Sequence, residues 1–250
     1  MNFQDTQLIG VLARAESTVS SLSSLLGGLV EKFAARGYSL YLVGGSVRDA
    51  LLGRLGNDLD FTTPARPDVV KEILDEWAET VWDTGIDFGT VSAAYKGQQI
   101  EITTFRSDSY DGQSRNPEVV YGDTLEGDLV RRDFKVNAMA IELLADASFT
   151  FHDPLHGLQD VADRVLDTPD KPEISFHDDP LRMLRAARFA SQLEFRVADR
   201  VVDAMRNMAG EIQRITVERV QVELDKLICG TAPWDGIDLL VSTGIADYIF

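Results

Sequence analysis

Hydrophobic residues recur along the chain with two different spacings, which predict helices in some regions and strands in others. Between residues 5 and 36 they return every three or four positions, which predicts either one helix or two helices separated at Gly27 and Gly28. Residues 68–77 follow the same helical spacing. The next segment contains shorter runs interrupted by glycine, and these predict strands near residues 80–83, 88–95 and 99–106.

The pattern changes in the second part of the chain. Residues 107–128 are polar, contain glycine and have no regular period, so they predict a long mobile loop. Beyond Glu194 the hydrophobic residues have helical spacing. We therefore expect an α/β region followed by an α-helical region, with residues 151–168 as the hinge between them.

A short stretch after the first helical region combines a glycine turn with the start of a helix. Residues 41–43 resemble the end of a buried strand, Gly44 and Gly45 permit a tight turn, and residues 46–52 have helical spacing. A strand, a glycine turn and a helix N-terminus expose backbone N–H groups, and the helix dipole adds positive potential. This stretch therefore predicts a phosphate site.

Two aspartates follow in the predicted strand NDLDF, residues 57–61. Side chains two positions apart on a strand share a face, so we expect Asp58 and Asp60 to point the same way. Beside a phosphate site, this carboxylate pair suits Mg²⁺ bound jointly with a triphosphate. Glu101 could supply a third carboxylate if its strand pairs with the first two, and a solvent-facing strand glutamate fits the pattern equally well.

Each motif has a simpler structural interpretation when it stands alone. A pair of glycines is usually only a turn, and a D-x-D sequence is usually a solvent-exposed strand face. Here both occur in one short stretch, joined by a predicted helix that carries Arg48 and Asp49. That combination is much more specific than either motif.

Net charge and composition limit the function classes. The formal net charge of −17 is unusual for a nucleic-acid-binding protein. Either the polymer partner is not nucleic acid, or a basic surface is local, or that surface lies in a part not present here. The single cysteine, Cys229, fits a reducing cytoplasm. We find no signal peptide, and no apolar run approaches the roughly 18 residues that span a bilayer. The predicted location is therefore cytoplasmic, without a membrane partner.

The glycine and aspartate motifs together resemble the polymerase-beta-like nucleotidyltransferases. The fuller form L-V-G-G-S-V-R-D-A-L-L-G is similar to the family of tRNA CCA-adding enzymes and bacterial poly(A) polymerases. The resemblance covers roughly residues 38–250 and points to class II of that family. It is carried further by R-R-D-F-x-x-N-A-M-A (131–140), D-P-x-x-G-x-x-D (153–160) and D-D-P-L-R-M-L-R-A-A-R-F (178–189).

The resemblance implies a fold and a domain division. We expect an α/β nucleotidyltransferase head with a small mixed sheet flanked by helices at residues 1–156. An all-α neck and the start of a body domain are expected at residues 157–250. Family members continue into a body and a tail that grip tRNA, so the chain is expected to be a fragment of a longer protein.

The resemblance also implies roles for the matched residues. The catalytic group would be Asp58, Asp60 and Glu101, with two Mg²⁺ ions held by the two aspartates. Lys135 departs from the family, which usually has threonine there, and a long cation could alter the packing or add a phosphate contact. The residues expected to bind the nucleotide in the head motifs are Gly44, Gly45, Ser46, Arg48, Asp49, Arg132, Asp133 and Asn137.

The third motif is expected to read the base. Pro180 and Asp179 predict the first residue and the N-cap of a helix. In the family, the aspartate and the first arginine of this motif, here Asp179 and Arg182, hydrogen-bond the Watson–Crick edge of the incoming base. A carboxylate can accept from the amino group that cytosine and adenine share. Arg185 and Arg188 would lie towards the phosphates, although a helix cap and a solvated helix face are the structural alternatives.

The implied function is template-independent nucleotidyl transfer from CTP and ATP to the 3′ end of tRNA. Poly(A) synthesis, or addition of only CC or only A, is an alternative that shares the same motifs. A regulatory nucleotide-binding domain without turnover is the alternative from another class. The intact D-x-D motif favours an enzyme, because binding alone seldom requires two aligned carboxylates.

Overall fold

The computed structural model describes residues 3–107 and 120–250. The chain divides into two compact units, one of Met1–Arg132 and Val136–Val161 and the other of Asp133–Lys135 and Ala162–Phe250. The domain boundary expected after residue 156 stays a prediction. Among the described residues, no helix is both long enough and apolar enough to cross a membrane.

The first unit combines helices with a mixed sheet. In chain order, the elements up to residue 163 are α1 (Phe3–Ala35), β1 (Leu40–Val43), α2 (Gly44–Leu51), β2 (Asp58–Thr63), α3 (Pro67–Asp75), β3 (Thr80–Trp82), β4 (Thr90–Tyr95), β5 (Gln98–Thr104), β6 (Arg106–Ser107), β7 (Val120–Tyr121), α4 (Leu125–Val130), β8 (Ala140–Leu143), β9 (Phe149–His152) and α5 (Gly157–Asp163). Short 3₁₀ turns occupy Ile86–Phe88 and Lys135–Asn137.

Within the described ranges, seven strands form one sheet in the order β3-β4-β5-β2-β1-β8-β9. β2 and β5 pair in parallel, whereas the other neighbouring strands are antiparallel. The predicted mixed sheet flanked by helices is therefore confirmed. β6 and β7 form a separate two-stranded ladder.

Apolar packing positions α2 against the strands that carry the candidate site. α2 contacts β1 and β2, and α1 contacts both α2 and α3. Phe33 of α1, Leu42 of β1, Leu51 of α2 and Phe61 of β2 are all fully buried. Burying a side chain of this size contributes about 1.5–3 kcal/mol. The start of α2 is therefore held close to β2 by the core beneath it.

The structure decides one open alternative for this unit and corrects one prediction. α1 is one continuous helix, because Gly27 and Gly28 are flanked by the buried Leu26 and Leu29, and this packing outweighs the cost of about 1 kcal/mol per helical glycine. The loop expected at 107–128 is wrong in its last part. Val120–Tyr121 pairs with β6, and Thr124 caps α4 by accepting a hydrogen bond from the Gly127 N–H at 3.2 Å. Residues 108–119 of that loop lie outside the described residues.

The second unit is mainly helical. Its core is built on α7, which contacts both α9 and α10. A Cβ atom at Gly236 would lie 2.6 Å from the Ala187 carbonyl oxygen, so only glycine permits α10 to approach α7 this closely. A two-residue parallel ladder between β10 and β11 was not predicted. The elements are β10 (Val165–Leu166), α6 (Pro172–Asp178), α7 (Leu181–Leu193), β11 (Arg196–Val197), α8 (Asp199–Met208), a 3₁₀ turn (Ala209–Arg214), α9 (Val217–Ile228), α10 (Pro233–Ser242) and α11 (Ala246–Ile249).

Candidate active site

The predicted phosphate site lies where β1 ends and α2 begins. α2 starts at Gly44, two residues earlier than its helical spacing indicated. Val43 occupies the N-cap position and makes no side-chain hydrogen bond to the first turn. The N–H groups of that turn therefore have no side-chain cap and can meet an anion. Gly44 has φ of +67°, a conformation that glycine adopts without strain.

The surroundings of Gly44 bring three predicted site residues together. A Cβ atom at Gly44 would lie 2.9 Å from Arg132 Nη1 and 3.8 Å from Asp60 Oδ2. The backbone at the start of α2 is thus adjacent to one guanidinium group and one carboxylate. This juxtaposition provides a place where a phosphate and a cation could be bound side by side.

The carboxylates lie on one face of the sheet. In β2, Asp58 and Asp60 alternate with Leu59 and Phe61, which are buried in the core, so both carboxylates lie on the opposite face, as the sequence pattern predicts. Asp60 is aligned with Glu101 in the parallel pairing of β2 with β5. Paired residues on neighbouring strands point to the same face, so Glu101 lies beside the two aspartates.

Electrostatics at this face favour the binding of a cation. Removal of water by the surrounding protein raises the pKa of the Asp60 carboxyl above its usual range, and the negative charge of Glu101 raises it further. Arg132 opposes both effects by lowering that pKa. A cation beside Asp60 would offset the repulsion between the carboxylates.

The residues present fit Mg²⁺ shared with a phosphate ligand. In residues 3–107 and 120–250 no three His, Cys, Asp or Glu side chains converge closely enough to hold a metal ion by themselves. Mg²⁺ in nucleotide enzymes commonly takes one or two protein carboxylates and completes its shell with phosphate oxygens and water. Asp58 and Asp60 supply that donor set. Glu101 as a third metal ligand stays a prediction.

Arg48, Asp49 and Asn137 form a hydrogen-bonded network behind the glycine turn, in which Arg48 and Asn137 are buried. The Arg48 guanidinium donates to both Asp49 carboxylate oxygens at 3.0 and 2.9 Å, and its Nη1 donates to Asn137 Oδ1 at 2.7 Å. A Cβ atom at Gly45 would lie 3.3 Å from Arg48 Nη2, so the missing side chain makes room for the guanidinium. The role of these residues in binding the nucleotide stays a prediction.

In the second unit, α7 carries the residues expected to read the base. The helix begins at Leu181, one residue later than predicted, and Pro180 takes the N-cap position. Asp179 Oδ1 accepts a hydrogen bond from the Leu181 N–H at 3.2 Å, and its Oδ2 lies 3.3 Å from Arg219 Nη2 of α9. Arg182 Nη1 donates to Ser175 Oγ at 2.8 Å. Both side chains are therefore oriented by neighbouring groups.

The other two arginines of α7 pair with carboxylates in the same unit. Arg185 Nη2 lies 2.8 Å from Asp133 Oδ2, which joins two predicted nucleotide ligands to each other. Arg188 Nε lies 2.7 Å from Glu223 Oε2, and its guanidinium packs over the Phe189 ring at 4.1 Å. The Arg188 and Glu223 side chains are almost fully buried. Arg188 therefore makes the contacts of a packing residue. The expectation that it lies towards a phosphate stays a prediction.

Two family models match the chain. The model described as "Poly A polymerase head domain" matches residues 40–167, which include Asp58, Asp60 and Arg132. The chain belongs to this family. A second model, described as "Probable RNA and SrmB- binding site of polymerase A", matches residues 194–250.

Curated relatives of this Poly A polymerase head-domain protein are named as CCA-adding enzymes. The one from Levilactobacillus brevis is 43% identical over 213 residues, which are 85% of this chain and 52% of the relative. The one from Listeria innocua is 39% identical over 222 residues, which are 88% of this chain and 54% of the relative. The chain spans about half the length of the curated relatives it matches.

Solved structures agree with this fold. The Bacillus stearothermophilus CCA-adding enzyme in complex with CTP has a TM-score of 0.77 and 35% identity, covering 89% of this chain and 52% of that structure. A tRNA nucleotidyltransferase complexed with a primer tRNA and an incoming ATP analog has a TM-score of 0.73 and 26% identity. That match covers 93% of this chain and 62% of the other.

One residue of this Poly A polymerase head domain was missed by the sequence analysis. Asp128 is fully buried on α4, and its two carboxylate oxygens lie 3.0 Å from Arg131 Nη2 and 3.0 Å from Arg132 Nη2. It therefore orients the guanidinium that lies beside Gly44. The spacing of three and four residues between Asp128 and the two arginines was the available signal.

Lys135, which stands where the family usually has threonine, has a packing role in the second unit. Its Nζ lies 2.7 Å from Asp167 Oδ2, and Arg200 Nε lies 2.7 Å from Asp167 Oδ1. Burial alone would raise the pKa of Asp167, but hydrogen bonds from Arg200 and Lys135 hold that pKa below its usual range. Of the two alternatives for Lys135, the geometry therefore supports altered packing.

Proposed function

We propose that the protein transfers nucleotides from CTP and ATP to the 3′ end of tRNA without a nucleic-acid template, as in CCA addition or repair. The observation that carries the proposal is the juxtaposition of Asp58 and Asp60 with the uncapped start of α2 and with Arg132. Backbone that suits an anion and carboxylates that suit a divalent cation lie next to each other there. Nucleotidyl transfer from a triphosphate requires both.

The substrates are inferred from relatives. The CCA-adding enzymes of L. brevis and L. innocua share 43% and 39% identity with the chain, and the solved relatives include complexes with CTP, with ATP, and with primer tRNA plus an ATP analog. We extend these substrates and the tRNA partner to this protein as part of the proposal. The cytoplasmic location stays a prediction.

In the proposed reaction, the first unit binds the triphosphate. The tRNA 3′-hydroxyl, losing its proton, attacks the α-phosphate, and pyrophosphate leaves as the new phosphodiester bond forms. Backbone N–H groups of Gly44 and Gly45 would bind phosphate oxygens, and Arg132, held by Asp128, would brace them. Asp58 and Asp60 would hold Mg²⁺, which supplies charge neutralisation at the phosphates and lowers the pKa of the attacking tRNA 3′-hydroxyl. Glu101 would add negative charge to the same face and so favour the cation.

Base choice is assigned to the second unit. We propose that Asp179 accepts a hydrogen bond from the amino group of cytosine or adenine and that Arg182 donates to the ring. Guanine and uracil carry an oxo group at the corresponding position and would leave Asp179 facing an acceptor. Support comes from the contacts of Asp179 with Arg219 and of Arg182 with Ser175, which hold both side chains in defined orientations.

The direct test is incorporation of labelled CTP and ATP, separately and together, into tRNA that lacks its terminal CCA. The 250-residue protein would be compared with a longer protein that includes the segment following Phe250, if the gene encodes one. Addition of C, C and then A supports the proposal. A long A-tract from ATP alone would identify a poly(A) polymerase. The description of the head-domain family names that activity. Nucleotide binding without transfer in either protein would favour a regulatory domain.

A further inference from the structure

The edge of β2 that faces α2 lacks strand partners near the aspartates. β1 pairs with β2 in a register that places Tyr41 opposite Thr62 and Leu42 opposite Phe61. β1 ends at Val43, the residue that this register brings level with Asp60, so β1 does not extend alongside Asp58. In a strand, the N–H of one residue and the C=O of the residue two positions before it point to the same side. The Asp60 N–H and the Asp58 C=O therefore face the position that β1 has vacated.

The hydroxyl group of Ser46 occupies that position. Its Oγ accepts a hydrogen bond from the Asp60 N–H at 2.9 Å and donates one to the Asp58 C=O at 3.3 Å. A hydroxyl can donate one hydrogen bond and accept two, so both bonds can exist at once. Ser46 is 3% exposed. One side chain in the first turn of α2 thus continues the hydrogen-bond ladder of β1 along β2.

We propose that Ser46 is a positioning residue that sets Asp58 and Asp60 relative to the start of α2, and that it does not bind the nucleotide. This inference rests on the proposed function, because it assigns the two aspartates to the metal and the first turn of α2 to the triphosphate. It replaces the phosphate contact expected for Ser46 from the family resemblance. Because its hydroxyl is committed to the β2 backbone at both ends, it has only one remaining lone pair for any other partner.

The consequence for the reaction follows from the geometry. Ser46 ties the backbone of both aspartates to the helix that begins at Gly44. Without the hydroxyl, the Asp60 N–H and the Asp58 C=O lose their partner, and β2 is free to shift relative to α2. Reacting groups have to be held within about 0.5 Å of their productive geometry, so such a shift lowers the rate of the chemical step more than it weakens substrate binding.

The test compares Ser46→Ala with Ser23→Ala. Ser23 is also buried, 6% exposed, but within the described residues its hydroxyl has no hydrogen-bond partner, so its removal is the matched control. For Ser46→Ala we expect kcat to fall about tenfold with the KM for CTP within about twofold of wild type, as expected for lost preorganisation. Mn²⁺ affinity, measured by electron paramagnetic resonance with CTP present, is expected to fall several-fold. The Asp60 amide is expected to exchange its hydrogen faster.

Ser46→Thr keeps the hydroxyl and is expected to recover most of kcat and of the Mn²⁺ affinity. The inference is overturned if Ser46→Ala raises the KM for CTP without changing kcat, because Ser46 would then contact the nucleotide. It is also overturned if Ser46→Ala behaves like Ser23→Ala in all three measurements. Should Ser46→Ala fail to fold, Ser46→Cys replaces it, with a smaller change expected in the same direction.

Failure of the proposed function would be recognised separately. If neither the 250-residue protein nor the longer protein transfers nucleotide to tRNA, the proposed function is wrong, and the kinetic comparison cannot be made. Mn²⁺ binding and amide exchange then still decide the role of Ser46, because neither measurement depends on turnover. Unchanged values in Ser46→Ala would overturn the inference on their own.

Discussion

The two compact units arrange their charged side chains in opposite ways. In the first, Asp58, Asp60 and Glu101 share a sheet face, and among the described side chains none forms a hydrogen bond or ion pair with them. In the second, the charged groups of the α7 region are paired, Asp179 with Arg219 and Arg188 with Glu223. The first arrangement leaves negative charge for a ligand to neutralise, whereas the second holds side chains in fixed orientations.

This difference assigns different tasks to similar residues. Removal of water raises the pKa of Asp60, and repulsion from Glu101 raises it further, so a cation beside these carboxylates would offset the repulsion. A carboxylate that is already paired gains little from a cation, but it presents its remaining lone pairs in a defined direction. Under the proposed function, the first unit would bind the triphosphate and the second would read the base. Four variants can test or refine this contrast.

The largest effect is expected from removing the unpaired carboxylates. Asp58→Ala with Asp60→Ala should lower nucleotide transfer by about 10³-fold or more, because the site would lose its protein ligands for Mg²⁺. Labelled CTP incorporation into tRNA measures this. Asp75→Ala, which removes a surface carboxylate paired with Lys71, should leave activity unchanged. Transfer that survives in the double variant would show that the metal assignment is wrong.

The next effect concerns the buried pair of the second unit. Arg188→Met should reduce the free energy of unfolding by about 3–5 kcal/mol, because it leaves Glu223 charged and buried without its partner. Urea denaturation measures the loss, and adding Glu223→Met should restore much of it. Arg206→Met, at an exposed pair with Asp203, should cost less than about 1 kcal/mol. If Arg188→Met is as stable as wild type but binds CTP poorly, then Arg188 contacts the phosphates after all.

A smaller and more selective effect is expected for Arg182. Arg182→Ala should reduce the preference for CTP and ATP over GTP and UTP by about 10- to 100-fold, because one of the two groups that read the base is lost. Its effect on triphosphate affinity should be smaller. Single-turnover incorporation of each of the four nucleotides measures the preference. An equal loss for all four would contradict the base-reading role.

The smallest effect is a pH dependence of stability. Because burial and Glu101 raise the pKa of Asp60, its ionised form destabilises the fold above the usual titration range of an aspartate. Asp60→Asn should therefore raise Tm at pH 7, and the gain should shrink as the pH falls through the raised pKa towards the ordinary aspartate range. Thermal unfolding at several pH values without divalent cations checks this. A gain that grows as the pH falls would have the wrong sign.

Part of the site could be predicted from local pattern. The alternation in β2 places Asp58 and Asp60 on one face because a strand has a period of two, and Gly44 and Gly45 end β1 because they permit a turn. Both statements depend only on neighbouring residues. They hold in the structure, and the match to the head-domain family covers the same residues.

Other parts depended on contacts that local pattern does not contain. The role of Arg48 at the phosphates stays a prediction, but its hydrogen bonds to Asp49 and to Asn137, which is 89 positions away, were not foreseen. Asp128 belongs to a polar segment and was not predicted as a site residue, yet it is fully buried against two arginines. In each case the choice of hydrogen-bond partner depends on how distant segments pack.

The sequence by itself determined the division into an α/β region and a helical region, the glycine turn and the shared face of Asp58 and Asp60, because backbone geometry makes these consequences of short-range spacing. Only the tertiary structure decided that Glu101 lies beside Asp60, that Ser46 completes the ladder along β2, and that Arg188 is paired with Glu223. Strand register and the pairing of buried charges are settled when distant segments meet, since most buried polar groups find their partners there.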